Sequence, residues 1–239
     1  MKHHEFDLLL RRNGIFVEAQ KWELLSTYVD LLLAWNRQVN LISRRDEENI
    51  WTAHIIHSIV PLFLLEIPTG IRALDLGTGG GLPGIPLAII HGEVQTTLLD
   101  SIQKKIRAVT SILHELRLPN VTALAARAED LGNTRDHTGA YDLVLARGVA
   151  PLHELVGWTR PLLAHRVLGP TVRRHFVPDA RNEFRFPYLL AYKGGILEAE
   201  IQRVAVRFPD VAITEIPVHF SGAEHLRLEE KKLVVVEFP

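Results

Sequence analysis

The chain has 239 residues, of which 47% are hydrophobic and 23% are charged, and its formal net charge at pH 7 is −1. This composition is typical of a globular protein with one large domain and an appendage, and it excludes binding of a polyanion through overall charge. The sequence contains no cysteine and no apolar run long enough to span a bilayer, so we expect a cytoplasmic protein without disulfides, membrane segment or secretion signal.

Residues 1–68 are predicted to be a helical N-terminal extension. Trp22, Leu25 and Val29 recur at helical spacing, and a second helix is predicted to begin near Asp46 and to be closed off by prolines.

From residue 69 to residue 239, short apolar runs alternate with segments of helix length. The predicted strands are 71–76, 94–99, 121–126, 141–146, 188–192, 211–218 and 232–238. Such alternation predicts an α/β fold with a mostly parallel seven-stranded sheet covered by helices on both faces. The last two strands have less helix between them, which is compatible with an antiparallel hairpin at one edge.

The loop after the first of these strands is rich in glycine and fits two ligand patterns. Asp75-x-Gly77-x-Gly79-x-Gly81 fits the loop of S-adenosylmethionine enzymes, whereas Gly79-x-Gly81-x-x-Gly84 fits the dinucleotide fingerprint. The pattern alone leaves both ligands open.

Two prolines favour the first ligand. Pro83 and Pro86 remove amide donors from the start of the following helix, where a pyrophosphate would be bound. A cofactor without phosphates would lose far less. Asp100 ends the second strand, where its carboxylate can accept hydrogen bonds from ribose hydroxyls or can cap the next helix.

Several polar residues are candidates for substrate contacts. Arg147 and Lys193 follow strands, so they are expected at the same edge of the sheet, although Arg147 could instead pair with Asp142 or Glu154. His54 lies three residues before a second histidine on one predicted helix, but no third ligand has metal spacing, so we expect no metal site.

Five segments of the chain carry a family resemblance. They are Trp35-Asn-Arg-Gln-Val-Asn-Leu41, the loop of residues 75–88, Leu98-Leu-Asp-Ser101 with Lys104-Lys105, Ala146-Arg-Gly-Val-Ala150, and Lys193-Gly194. In these segments the sequence resembles the bacterial 16S rRNA guanine-N7 methyltransferases of the RsmG (GidB) family. Trp35, Asn36 and Asn40 are compatible either with turn chemistry or with a position facing the cleft.

The resemblance implies a Rossmann-like class I methyltransferase fold with S-adenosylmethionine as methyl donor. It also implies that 16S rRNA or the small ribosomal subunit is the partner, and that N7 of guanine 527 in the decoding-region loop is the acceptor. The helical extension would pack beside the cleft, and we expect a monomer.

Residue roles follow from the same resemblance. The implied cofactor-binding residues are Gly77, Gly79, Leu82, Asp100, Ala128, Glu129 and Arg147, and the implied substrate-binding residues are Arg127, Lys193 and His54. Arg147 and Lys193 are the expected catalytic residues, because N7 of guanine carries its own lone pair and needs positioning rather than a general base. Glu129 could also be an ordinary solvated residue.

The sequence departs from the family pattern in two places. The family motif H-x-x-D-S is here His54-Ile-Ile-His57-Ser58, so an imidazole replaces a carboxylate. Residues 164–187 form a basic insertion, for which we hypothesise an arm that contacts RNA phosphates. An NAD-dependent oxidoreductase and a non-catalytic ribosome-binding module are the alternative functions.

Overall fold

A computed structural model of the chain describes residues 1–164, 170–174, 181–226, 228 and 230–239. Its strands, in chain order, are β1 (Leu65–Glu66), β2 (Arg72–Leu76), β3 (Gln95–Asp100), β4 (Val121–Ala125), β5 (Leu143–Arg147), β6 (Thr171–Arg173), β7 (Glu183–Phe184), β8 (Tyr188–Gly194), β9 (Ala212–Pro217) and β10 (Lys231–Glu237). All seven predicted strands of the main sheet are present within about two residues of their predicted ends.

Helices connect most of these strands. They are α1 (His3–Arg12), α2 (Ala19–Asn36), α3 (His57–Leu64), α4 (Gly84–His91), α5 (Gln103–Leu116), α6 (Ala128–Leu131), α7 (Leu152–Thr159) and α8 (Glu198–Arg207). A 3-10 segment at Arg44–Asn49 and a π-helical segment at Trp51–Ile56 lead into α3. Within the described ranges, no helix is long and apolar enough to cross a membrane.

The main sheet has the strand order β4-β3-β2-β5-β8-β10-β9. The first five strands in this order are parallel, and β10 is antiparallel to both of its neighbours. The predicted fold class and the antiparallel pair at one edge are therefore confirmed. Because the carboxyl ends of parallel strands lie on the same side of the sheet, the loops after β2, β3, β4, β5 and β8 lie close together there.

Alternate residues of the central strands feed two hydrophobic cores, one on each face of the sheet. Leu190 and Tyr192 pack into the core that also contains residues of α1 to α5, among them Tyr28. Leu189 and Ala191 pack on the opposite face with residues of α6, α7 and α8. The N-terminal helices thus share a core with one face of the sheet.

A small antiparallel sheet, β1-β6-β7, contains the described part of the basic insertion. The Arg174 side chain donates to Leu62 O at 2.6 Å, and Arg181 forms an ion pair of 2.7 Å with Glu237. Glu237 lies opposite Tyr188, the first residue of β8. This region is therefore at the amino-terminal end of the parallel strands, and the glycine loop is at their carboxyl end.

The phosphate-contacting arm stays a prediction, and of its arginines Arg174 and Arg181 contact partners within the chain. His165, Arg166, His175 and Asp179, which also belong to the insertion, lie outside the described residues.

Candidate active site

The glycine loop begins directly after β2 and is held by Asp75. Gly77 has a φ of +72°, which places the chain in the left-handed region that favours glycine. Asp75 Oδ2 accepts hydrogen bonds from Thr78 Oγ1 at 2.6 Å and from Gly84 N at 2.8 Å. Burial raises the pKa of Asp75 to about 6, although these two hydrogen bonds act in the opposite direction.

The first turn of α4 has its amides committed within the chain. Gly84 N donates to Asp75 Oδ2 at 2.8 Å, Ile85 N donates to Gly81 O at 2.8 Å, and Leu87 N donates to Pro83 O at 3.2 Å. Pro86 has no amide hydrogen. No amide in this turn is therefore left to bind a pyrophosphate, which favours a cofactor without phosphates.

The N-terminal helices support the back of the glycine loop. Tyr28 OH donates to Gly80 O at 2.9 Å, and a Cβ built on Gly80 would lie 2.6 Å from Leu32 Cδ1. Asn36 Oδ1 accepts hydrogen bonds from the backbone amides of Leu41 and its successor at 2.8 and 3.0 Å. Asn36 therefore stabilises the turn after α2, as one of its two predicted roles requires. This turn positions Leu41, which lies beside Gly80 of the glycine loop.

A cavity of about 330 Å³, here called the cofactor cavity, opens at the carboxyl ends of β2, β3 and β4. It is lined by Leu76, Gly77, Leu99, Asp100, Ser101, Ile102, Lys105, Ala126, Arg127, Ala128, Glu129, Gly148, Val149 and Trp158. Of the predicted cofactor residues, the structure brings together Gly77, Asp100, Ala128 and Glu129. Arg127, predicted to bind substrate, lies here as well.

Apolar side chains line part of this cavity and were missed by sequence reasoning. Ile102 and Val149 remain 41% and 37% exposed, and Trp158 is partly buried. An apolar wall suits a flat heteroaromatic group such as adenine. The signal in the sequence is that Ile102 directly follows the segment Leu98–Ser101 and that Val149 lies within Ala146–Ala150, both of which carry the family resemblance.

The Asp100 carboxylate, at the end of β3, accepts two backbone hydrogen bonds, and the ribose contact predicted for it stays a prediction. Its Oδ1 accepts a hydrogen bond from Ile102 N at 2.8 Å, at the start of α5, and its Oδ2 accepts one from Gly79 N at 3.1 Å. Each carboxylate oxygen has a second lone pair, and the residue lines the cavity. Gly79 does not line the cavity, and its amide instead orients the Asp100 carboxylate.

Leu82 and Arg147 are not brought together with the other predicted cofactor residues. Leu82 is only 4% exposed, and its side chain belongs to the core shared with the N-terminal helices. Arg147 lines a neighbouring cavity.

This second cavity, here called the basic cleft, has a volume of about 460 Å³. It is lined by Ala53, His54, His57, Arg147, Gly148, Tyr192, Lys193, Gly194 and Lys231. Its residues come from the segment before α3, from the carboxyl ends of β5 and β8, and from the start of β10. Gly148 lines both cavities, so the cofactor cavity and the basic cleft adjoin at this residue.

Arg147 is partly buried and is held by His54. One guanidinium nitrogen lies 3.0 Å from His54 Nδ1, and another donates to His54 O at 3.4 Å. Pairing with Asp142 is out of reach, because Asp142 precedes β5 and Arg147 ends it. Burial lowers the pKa of Arg147, because the charged form is desolvated.

Both histidines of the basic cleft are poor bases. Burial, with the charge of Arg147 as the second cause, lowers the pKa of His54 to about 4 and the pKa of His57 to about 3. Each imidazole is therefore neutral near pH 7.

Lys193 is committed to neighbours within the chain. Its Nζ lies 2.7 Å from Glu200 Oε2 and donates to Ala150 O at 3.0 Å. Burial would raise the pKa of Glu200, but the hydrogen bonds from Lys193 and Leu152 N outweigh it and lower that pKa. Glu200 was not predicted, since it lies on α8 and meets Lys193 only in the fold.

The strand order and the paired cavities at the carboxyl edge of the sheet define a class I S-adenosylmethionine-dependent methyltransferase. Solved structures agree in fold. A SAM dependent methyltransferase from Aquifex aeolicus matches with a TM-score of 0.52 and 14% identity, over 81% of this chain and 94% of its own. Aeropyrum pernix fibrillarin with bound S-adenosyl-L-methionine matches with a TM-score of 0.51 and 15% identity, over 76% of this chain and 73% of its own.

Sequence comparison identifies the family within this class. The family described as GidB, rRNA small subunit methyltransferase G, matches residues 21–168. A Chlorobaculum tepidum protein named ribosomal RNA small subunit methyltransferase G is 35% identical over 98% of both chains. A Pectobacterium carotovorum protein of the same name is 40% identical over 66% of this chain and 73% of its own. The chain belongs to the rRNA small subunit methyltransferase G family, which confirms the predicted resemblance and makes it an enzyme.

Proposed function

We propose that this enzyme transfers a methyl group from S-adenosylmethionine to N7 of guanine 527 in the decoding-region loop of 16S rRNA. One observation carries the proposal: Gly148 lines both the cofactor cavity and the basic cleft. A methyl donor in the first cavity and a nucleobase in the second would therefore meet at this residue.

The residues of the cofactor cavity fit S-adenosylmethionine. Asp100 would accept hydrogen bonds from the ribose hydroxyls, and Ala128 and Glu129 would hold the adenine end beside Ile102 and the other apolar wall residues. When bound, S-adenosylmethionine supplies an electrophilic methyl group on a sulfonium. The amides committed in the first turn of α4 oppose the NAD-dependent alternative.

The basic cleft suits a nucleophile that needs no deprotonation. The lowered pKa values of His54 and His57 make both imidazoles weak bases. The lowered pKa of Glu200, the partner of Lys193, makes its carboxylate a weak base as well. Guanine N7 already carries a free lone pair. Among the described residues that line the cleft, none is arranged to remove a proton, which supports N7 over an exocyclic amine or a hydroxyl.

Arg147 and Lys193 would act by positioning. The Arg147 guanidinium is fixed by His54, and its remaining donors can hydrogen-bond an acceptor such as guanine O6. Lys193 is fixed by Glu200 and Ala150 O at the same edge. Such fixed groups hold the acceptor in line with the donor, and orientation of this kind can supply on the order of 7–11 kcal/mol of rate enhancement.

The test is to incubate the protein with labelled S-adenosylmethionine and undermethylated small subunits, and to map the product by mass spectrometry. We expect N7-methylguanosine at one position of 16S rRNA. Methylation of another atom or another position contradicts the substrate assignment, and binding without any transfer supports the ribosome-binding alternative. Thermal stabilisation by NAD but not by S-adenosylmethionine would support the oxidoreductase alternative.

A matched pair of arginine variants tests the positioning role. Arg147→Gln should lower the single-turnover transfer rate at least about tenfold, equivalent to about 1.4 kcal/mol. Arg72→Gln removes the same charge from the opposite end of the sheet, at the start of β2, and should leave the rate unchanged. Equal rates for the two variants would remove Arg147 from the mechanism.

A further inference from the structure

The basic cleft carries more positive charge than the positioning of one base requires. Three of its lining residues are cations, namely Arg147, Lys193 and Lys231, and no carboxylate is among its lining residues. His57, which lines the cleft, is neutral near pH 7 because burial lowers its pKa to about 3. Part of this positive charge is offset by carboxylates beside the cleft, namely Glu200 next to Lys193 and Asp46, 3.4 Å from His54.

Two of these cations are already committed. Arg147 donates to both the ring and the carbonyl oxygen of His54, and Lys193 is paired with Glu200. Lys231 differs, because its ammonium has no carboxylate within ion-pair distance among the described residues. Its side chain is exposed at the mouth of the cleft.

The backbone of Lys231 is nevertheless firmly placed. It begins β10 and pairs in register with Gly194, the last residue of β8. Its amide donates to Leu228 O at 2.8 Å, and its carbonyl accepts a hydrogen bond from Val218 N at 3.0 Å. An ammonium without an ion-pair partner among the described residues, on a backbone fixed beside the cleft, is suited to bind an anion near the target base.

We propose that Lys231 binds a backbone phosphate of the RNA strand next to the target guanine. The inference rests on the proposed function, because it takes the occupant of the basic cleft to be a nucleotide of an RNA chain. A phosphodiester is the anion that accompanies every such nucleotide. The contact would anchor the strand at the mouth of the cleft, while Arg147 and Lys193 orient the base inside it.

The neighbouring Lys232 provides a matched control. It has the same charge and is the next residue of β10, but its Nζ is paired with Glu215 at 2.7 Å. Lys232 is not among the residues that line the cleft. Lys231→Ala and Lys232→Ala thus remove equal charge from adjacent positions.

The experiment measures the affinity of each variant for undermethylated small subunits over a salt series, and its affinity for S-adenosylmethionine separately. Lys231→Ala should reduce the slope of log affinity against log salt by about 0.7 to 0.9, the value for one phosphate contact. Lys232→Ala should retain the slope of the unmodified enzyme, and Lys231→Arg should restore it. S-adenosylmethionine affinity should be unchanged in all three variants.

Two results would overturn the proposal. One is an equal salt slope for Lys231→Ala and Lys232→Ala. The other is weakened S-adenosylmethionine binding by Lys231→Ala, which would assign the ammonium to the cofactor instead. Product mapping with the unmodified enzyme is independent of both measurements. A product other than N7-methylguanosine would therefore refute the proposed function without deciding whether Lys231 contacts phosphate.

Discussion

Gly77 is the position at which the cofactor cavity tolerates a side chain least. A Cβ built on Gly77 would lie 2.5 Å from Val149 Cγ2 and 2.9 Å from Val149 Cγ1, and the φ of +72° adds backbone strain for any other residue. The backbone term is about 1–2 kcal/mol. Val149 is partly exposed and lines the cavity, so a shift of its side chain changes the shape of the cavity. Gly77→Ala should therefore lower the affinity for S-adenosylmethionine at least about tenfold, equivalent to about 1.4 kcal/mol.

Gly70 separates the two effects. It has a φ of +71°, but a Cβ at this position would have nothing within 4 Å. Gly70→Ala should thus lose only the backbone term in urea unfolding, whereas Gly77→Ala should lose this term and the cost of the overlap with Val149. Gly70→Ala should bind S-adenosylmethionine like the unmodified enzyme in calorimetry. If Gly77→Ala binds S-adenosylmethionine as tightly as Gly70→Ala, the assignment of this cavity to the cofactor is refuted.

Two further predictions concern the dependence of stability on pH. The pKa of His57 is lowered to about 3, so the unfolded chain takes up a proton below about pH 6.5 that the folded protein does not. Lowering the pH from 7 to 5 should destabilise the unmodified enzyme by about 2 kcal/mol more than His57→Gln in urea unfolding; equal losses would contradict the shift. The pKa of Asp75 is raised to about 6, so its contribution is lost as the pH rises. Relative to Asp75→Asn, the unmodified enzyme should lose about 2 kcal/mol between pH 4 and pH 7, and a constant difference would show that Asp75 ionises normally.

The central sheet could be predicted because its signals are local. Buried parallel strands appear as short apolar runs between helices, and those runs coincide with the observed strands. The small sheet β1-β6-β7 could not be predicted in this way. Its strands have two or three residues, too few to show an alternating pattern, and β1 pairs with residues more than a hundred positions later in the chain.

In the candidate site, the sequence predicted the residues that lie at the ends of strands and not the partners that reach them from other elements. Arg147 and Lys193 were placed at one edge of the sheet, and the structure puts both in the basic cleft. Their partners His54 and Glu200 lie on elements whose packing no spacing rule describes. Trp158 was missed for a related reason, since an apolar residue that lines a cavity has the same helical spacing as one that fills a core.

The prolines of the glycine loop show how the structure extends a sequence argument. From the sequence, Pro83 and Pro86 remove two donors, which weakens a pyrophosphate site without closing it. In the fold, the Asp75 carboxylate takes the Gly84 amide, and two loop carbonyls take the next amides of the turn. A bound phosphate would have to compete with a buried carboxylate at the same helix end, and like charges there repel. Asp75, more than either proline, therefore makes this loop select a cofactor without phosphates.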